Sequence, residues 1–376
     1  MSPVPLNAVA ALLAGTPVQL DEREVRRLID SAVVLVTGAA GSIGSELCRQ
    51  IARFGAHTVV GFDIAESALF YLDREMKATF RDVAFVPAVG SVQNRARLDE
   101  VFRAHEPSVV YHAAAYKHVP MMEAHVVEAV ENNVFGTLHA AQAAAANGAA
   151  VFAMISSDKA VHPVSVMGAT KRAAEMLLCS LRGGTTRLAP VRFGNVLGSS
   201  GSVVPLFNEQ IAAGGPVTVT DPRMERYFMT AAESAQLVLQ ASAMAEGGEI
   251  FILDMGAPVK IVDLARDLIR LAGHVPDREI GIEFIGIRPG EKLREELRGA
   301  EEKPRETGHP RIQAVCGPPD GGAILRQLDA LACLCRRRDE GAIVELLQRI
   351  VPDYRPVRSS GKTRESSASL PQTLLT

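Results

Sequence analysis

The sequence predicts an α/β fold: a doubly wound parallel sheet with a smaller C-terminal α/β substrate-binding region. Three observations lead there. From Ala32 onward, short aliphatic runs alternate with helical stretches, the pattern of strand–helix–strand units. The first run passes straight into a glycine turn that opens a helix. After about Gly183 the spacing loosens, with turns such as Gly198-Ser199-Ser200-Gly201 and Gly214-Gly215-Pro216 between shorter elements.

Taken in order, residues 1–30 read as an N-terminal leader with one short amphipathic helix, because Asp21 can cap a segment in which Val25, Leu28 and Ile29 recur at helical spacing. Residues 31–190 form the dinucleotide-binding domain, with strands expected at VVLV (33–36), TVVGF (58–62), VAFVPAV (83–89), SVVYHAAA (108–115) and AVFAMISS (150–157). Residues 191–357 mainly form the substrate-binding region, interleaved with that domain. The last stretch, 358–376, is rich in Ser and Thr and poor in apolar residues, which predicts a disordered tail.

Composition narrows the function classes. The 376 residues are 47% hydrophobic and 22% charged with a net charge of −3, too balanced for a general nucleic-acid or membrane-surface binder. Five cysteines, Cys48, Cys179, Cys316, Cys333 and Cys335, lack paired metal-site spacing, so neither a disulfide framework nor a zinc site is expected and a cytoplasmic location fits. No metal is expected. The longest early apolar run, Ala8 to Ala14, is seven residues with no basic residue before it, too short for a membrane span.

The glycine turn is Thr37-Gly38-Ala39-Ala40-Gly41-Ser42-Ile43-Gly44. Glycines there let the backbone turn tightly and approach a pyrophosphate, while the helix N-terminus presents free N–H groups. Gly38, Ala40, Gly41, Ser42, Ile43 and Gly44 are therefore candidate cofactor residues, against the alternative of a plain strand-to-helix turn. Asp63 ends the second strand 19 residues past Gly44, where a carboxylate can accept from both adenosine ribose hydroxyls and repels a 2′-phosphate. That selects NAD over NADP. Ser91, Val92, Ala113 and Ala114 follow later strands, where small residues let adenine and ribose lie against the sheet edge.

After the fifth run come Ser156-Ser157-Asp158-Lys159 and then Met167-Gly168-Ala169-Thr170-Lys171. Met167 and Lys171 are four apart and share a helical face. Here the sequence resembles the extended short-chain dehydrogenase/reductases, Rossmann-fold enzymes with Ser or Thr, Tyr and Lys at these places; the tyrosine position is Met167. More fully, TGAAGSIGSELCRQI (37–51), HAAAYKHVPMME (112–123), NNVFGT (132–137), SSDKAV (156–161), MGATKRAAE (167–175), VRFGNVLGSSGSVVPLF (191–207), RYFMT (226–230) and RPGEKLREEL (288–297) resemble the UDP-N-acetylglucosamine 4,6-dehydratases of polysaccharide and glycan biosynthesis. The methionine points to a branch usually carrying N-terminal transmembrane helices, and the chain resembles its catalytic domain alone. Ser157 stands where related dehydratases often have Thr, and Ser91 where many have Asp.

The resemblance implies a lyase: hydride transfer from sugar C4 to NAD, loss of water across C5 and C6, and return of the hydride to C6. The product would be a UDP-2-acetamido-2,6-dideoxy-4-keto-hexose with C5 configuration retained. It also implies Asp158 as the acid toward the C6 hydroxyl, Lys159 as the base at C5, Ser157 at the O4 region, and Lys171 on the nicotinamide ribose. A thioether has no acidic proton, so Met167 cannot take the O4 proton, and Asp158 is expected to serve both steps. Lys171, the oxidised nicotinamide and desolvation would lower the Lys159 pKa, whereas Asp158 would raise it.

A UDP-sugar diphosphate calls for converging cations. Arg226 and Arg288 are the candidates, with Lys117, Asn195 and the backbone around Val204 implied on the substrate side. His112, His118 and His125 are expected to serve packing or hydrogen bonding. Relatives commonly self-associate, so a homo-oligomer is expected. A C5-inverting dehydratase, a UDP-sugar 4-epimerase and a non-catalytic NAD-binding regulator are the alternatives.

Overall fold

The five aliphatic runs become parallel strands of one nine-stranded sheet: β1 (Val33–Thr37), β2 (Thr58–Asp63), β3 (Ala84–Val89), β4 (Val109–His112) and β5 (Val151–Ile155), joined by β6 (Arg187–Arg192). The computed structural model describes residues 4–13, 19–181, 183–317 and 322–356; the tail expected over 358–376 lies outside them. The order is β3-β2-β1-β4-β5-β6, followed by the parallel strand Glu249–Leu253 and the antiparallel strands Ile312–Cys316 and Pro304–Glu306. The order reverses between β1 and β4, which pair with Thr37 opposite His112. Such a switch opens a crevice at the C-terminal ends of the strands.

Burial follows position in the sheet. β4, inside, is buried along its length, whereas β3 buries only Phe85 and Ala88. As the edge strand, β3 tolerates Pro87, which has no N–H to donate.

Helices cover both faces. Val25, Ile29, Leu47, Ile51, Leu237 and Val238, from helices Glu22–Ile29, Ser42–Arg53 and Ala231–Ala243, share one apolar cluster with the sheet. Leu98, Phe102, Ala140 and Leu178, from helices Arg95–His105, Gly136–Ala146 and Val166–Ser180, belong to a second. As expected, Asp21 caps Glu22–Ile29, accepting from the Arg23 and Glu24 amides. An additional helix, Leu6–Leu12, escaped the reading because its apolar run is short; Val9 is buried with Val204, Phe207, Leu264 and Leu268 in a separate cluster of the smaller lobe. C-terminal helices Gly322–Arg337 and Glu340–Ile350 pack back on Val166–Ser180. Among the described residues no helix is long and apolar enough to cross a membrane.

Candidate active site

The glycine turn is built without room for side chains. Gly38 has φ +65°, and a Cβ there would sit 2.6–2.7 Å from the backbone of Ala113 and Ala114, closer than atoms can approach. A Cβ on Gly44 would strike the Gly38 carbonyl. Gly41 is the N-cap of helix Ser42–Arg53 and offers no side-chain cap, so the first-turn N–H groups have no acceptor within the helix. Asp63 locks this loop: its Oδ2 accepts from the Ala40 amide at 2.8 Å and its Oδ1 from Ala65 at 2.8 Å. Ser42 Oγ accepts from the Ser200 amide at 3.1 Å, tying the turn to the smaller lobe. These features fit a dinucleotide: a cradle that any Cβ would fill, a helix N-terminus and a carboxylate at the end of β2.

The remaining cofactor candidates divide. Ala113 and Ala114 form the wall opposite Gly38. Ser91 Oγ accepts from the Gln93 amide at 3.2 Å, shaping the turn after β3. Val92 is buried against Gly136, and Ile43 packs on the main core.

Beneath the cradle runs a buried polar chain. His112 Nδ1 lies 2.7 Å from Thr37 Oγ1 and its Nε2 3.1 Å from Thr137 Oγ1. Thr137 donates its proton to the Asn133 carbonyl at 2.7 Å, so His112 donates through Nε2 and accepts through Nδ1 as a neutral ring. Burial, helped by the Lys171 charge, pushes its pKa down to about 3. Asn133, on a π-helical turn (Glu131–Phe135), bonds the Tyr116 amide and carbonyl and donates to Thr170 Oγ1 at 3.0 Å. Asn133 lies within the NNVFGT segment, where sequence alone assigns it no role.

The catalytic candidates gather where β5 ends. Ser157 caps the 3₁₀ turn Asp158–Ala160, accepting from the Lys159 amide at 3.2 Å and donating to Asp158 Oδ1 at 2.9 Å. Asp158 is fully buried; its Oδ1 also accepts from Lys159 Nζ at 3.0 Å, while its Oδ2 is buried with no hydrogen-bond partner. Gly194 lies against that oxygen, and a Cβ there would come within 3.2 Å of it.

Lys159 Nζ also lies 3.3 Å from Asn195 Oδ1 and 3.5 Å from Glu295 Oε1. Burial presses the ammonium to lose its proton, but Asp158 and Glu295 together outweigh burial and hold its pKa above the ordinary lysine value. The two opposing influences read from sequence thus resolve toward the charged form, because Glu295 adds a second carboxylate that the reading did not count. Glu295 itself is buried near Lys292 and Arg226, 3.8 and 3.9 Å away, and its Oε2 has no hydrogen-bond partner.

Lys171 Nζ donates to the Ile155 carbonyl at 2.5 Å. Burial, partly opposed by Glu175, lowers its pKa to about 8. Met167, on the same helix, is 3% exposed and packs with Val166, Ala169 and the C-terminal helices. Glu175, also unremarked in the sequence, is fully buried; it accepts from Ser156 Oγ at 2.6 Å and takes both Nε (2.7 Å) and Nη2 (2.6 Å) of Arg192.

The substrate candidates are placed unequally. Asn195 reaches the Asp158–Lys159 pair. Arg226 is buried, and its guanidinium donates to the carbonyls of Glu225, Lys292 and Leu293 at 2.7, 2.8 and 3.2 Å; it holds the 292–295 segment in place. Arg288 is exposed and pairs with Glu291, three residues on. The Val204 side chain is spent in the smaller lobe's core. Lys117 is exposed on the loop after β4, and His118 beside it packs against Gly201. Among the described residues no group of His, Cys, Asp and Glu could hold a metal ion.

A family model described as polysaccharide biosynthesis protein matches residues 34–316, the stretch that holds every candidate site residue above. The chain belongs to this polysaccharide biosynthesis protein family. The capsular polysaccharide biosynthesis protein CapD of Staphylococcus aureus is 53% identical over 292 residues, covering 77% of this chain and 49% of CapD. EpsC of Bacillus subtilis (strain 168) is 50% identical over 303 residues, covering 80% of this chain and 50% of EpsC. The chain thus spans about half the length of these curated relatives. Among solved structures, Pen from Bacillus thuringiensis superposes with a TM-score of 0.71 at 34% identity, covering 77% of this family member and 88% of Pen. The fold is that of the extended short-chain dehydrogenase/reductases.

Proposed function

We propose that this family member is an NAD-dependent UDP-N-acetylglucosamine 4,6-dehydratase that retains the C5 configuration. The observation that carries the reading is the buried, hydrogen-bonded Asp158–Lys159 pair; by resemblance, Met167 stands where related enzymes carry a phenol. Gly38, Gly41, Gly44 and the helix N-terminus would hold the pyrophosphate, Asp63 the adenosine ribose and Lys171 the nicotinamide ribose. Bound NAD supplies a two-electron acceptor and donor, which the protein must orient rather than replace.

The chain's own residues handle protons. Asp158 Oδ2, buried and unpartnered, is the free acceptor for the O4 proton as the 4-ketone forms. The ketone acidifies C5–H. Lys159 acts here through its neutral form, the minor one beside two carboxylates: it takes the C5 proton and becomes the ammonium while Asp158 returns its own proton to the departing C6 oxygen, which leaves as water. Lys159 then gives its proton back to C5, so both residues end as they began. Ser157 orients Asp158 through their shared hydrogen bond, and Asn195 orients Lys159.

The deciding experiment incubates the purified chain with NAD and UDP-N-acetylglucosamine and reads product mass. Loss of one water is expected, with proton NMR showing retained C5 configuration. No mass change with any UDP-hexose would reject the dehydratase, and an inverted C5 centre would correct its stereochemistry.

A further inference from the structure

The Asp158–Lys159 pair does not stand alone. Lys159 Nζ is shared between two carboxylates on different parts of the chain, Asp158 Oδ1 at 3.0 Å and Glu295 Oε1 at 3.5 Å. Both acids are buried, and each keeps one buried oxygen without a hydrogen-bond partner. The other groups around the ammonium are Asn195 at 3.3 Å, Arg226, which approaches Glu295 from strand Glu225–Arg226, and Lys292, which faces Glu295 from its own segment. The difficulty for a pair acting alone is electrostatic. An aspartate that takes up a proton ceases to balance its neighbouring ammonium, and an uncompensated buried charge is strongly unfavourable.

We infer that Glu295 is the positioning residue of the reaction: its carboxylate holds the Lys159 ammonium in place and in charge balance, which releases Asp158 to accept and deliver a proton. This deepens the proposed dehydratase and rests on that reading for its catalytic consequence, though not for the charge coupling itself. Arg226 and Lys292 flank Glu295 and fix its segment, Arg226 by its three carbonyl bonds and Lys292 by donating to the Val161 carbonyl at 2.6 Å, beside the catalytic turn.

The test uses the full chain with NAD and compares wild type, Glu295→Gln and Glu295→Asp by two readouts. Isotope-labelled lysine NMR, without sugar, follows the titration of Lys159, its signal assigned by its loss in Lys159→Met. Glu295→Gln should lower the Lys159 pKa by about one unit or more, the size expected for losing an opposite charge at this range, and Glu295→Asp should restore most of it. In keto-sugar formation, Glu295→Gln should lower kcat by at least about tenfold on the alkaline plateau, where Lys159 is neutral in both proteins and the amine without Glu295 is a weaker, less well held base, with KM little changed, and the acidic limb of the pH profile should move to lower pH.

An unmoved Lys159 titration in Glu295→Gln would overturn the inference. So would a kcat loss equal at every pH and equally deep in Glu295→Asp, which would mark a merely structural residue. A shifted titration in a protein that makes no keto-sugar would leave the charge coupling standing and sink the dehydratase reading instead.

Discussion

Asp158 concentrates the chemistry in two atoms with opposite surroundings. Its Oδ1 is committed to Ser157 and Lys159, and its Oδ2 is bare. An amide in its place could keep the packing and some hydrogen bonds but could not carry a proton. Asp158→Asn should therefore abolish keto-sugar formation together with the transient absorbance of reduced nicotinamide; wild-type build-up of that absorbance would show that another group takes the O4 proton. Lys171 gives a second expectation at this scale. Burial leaves its folded pKa at about 8 against an ordinary 10.5, so between those values the unfolded chain binds more protons and stability without ligand should rise with pH. Lys171→Met should melt higher than wild type at neutral pH, with the gap closing as pH rises through that window. Parallel melting curves across the window would contradict the burial argument.

Among the elements, the strand–turn–helix that forms the cradle was legible because its constraint is local. Gly38 needs its positive φ and its missing Cβ at once. Gly38→Ala should cost about 1 kcal/mol for the left-handed backbone alone, and the collision with Ala113 and Ala114 should displace β4's loop and weaken NAD binding at least about tenfold, read by calorimetry. Binding and melting temperature both unchanged would refute that cradle. The strands VVLV, TVVGF and VAFVPAV were readable for the same reason, since alternation and aliphatic runs are properties of adjacent residues. What was not legible depends on where distant segments return. RPGEKLREEL was recognised as a segment, yet Arg288 drew attention as a cation while its partner is its own neighbour Glu291. The residue that reaches Lys159 is Glu295, and only tertiary structure brings the two within 3.5 Å. Arg226 likewise read as an anion clamp, whereas its guanidinium organises backbone carbonyls. The helix Leu6–Leu12 offered too short a pattern to separate from a loop before the smaller lobe's core was known to receive Val9.

Across the whole molecule, one buried ionic cluster joins the parts that the reaction needs together. Arg192 on β6 is fully buried between Glu175, on the helix bearing Met167 and Lys171, and Glu302, just beyond the Glu295 segment; Arg172 adds a bond to each acid. Glu302 also accepts from the Gly299 amide at 2.9 Å, which closes the turn that brings the chain back from the site. Burial alone would raise the Glu302 pKa, but its bonds to Arg192 and the charges of Arg192 and Arg172 hold it down at about 2. A depressed carboxylate stabilises the fold above its ordinary value, near 4.5, and loses that contribution as pH falls toward 2. Glu302→Gln should thus cost about 3 kcal/mol at neutral pH in urea denaturation, and the gap from wild type should shrink steadily below about pH 4.5. A gap as wide at pH 3 as at pH 7 would mean that Glu302 acts by packing and not by charge. Since the cluster anchors the segment carrying Glu295, the same variant should also lose kcat at neutral pH while still folded, joining the stability of the sheet to the protonation of Lys159.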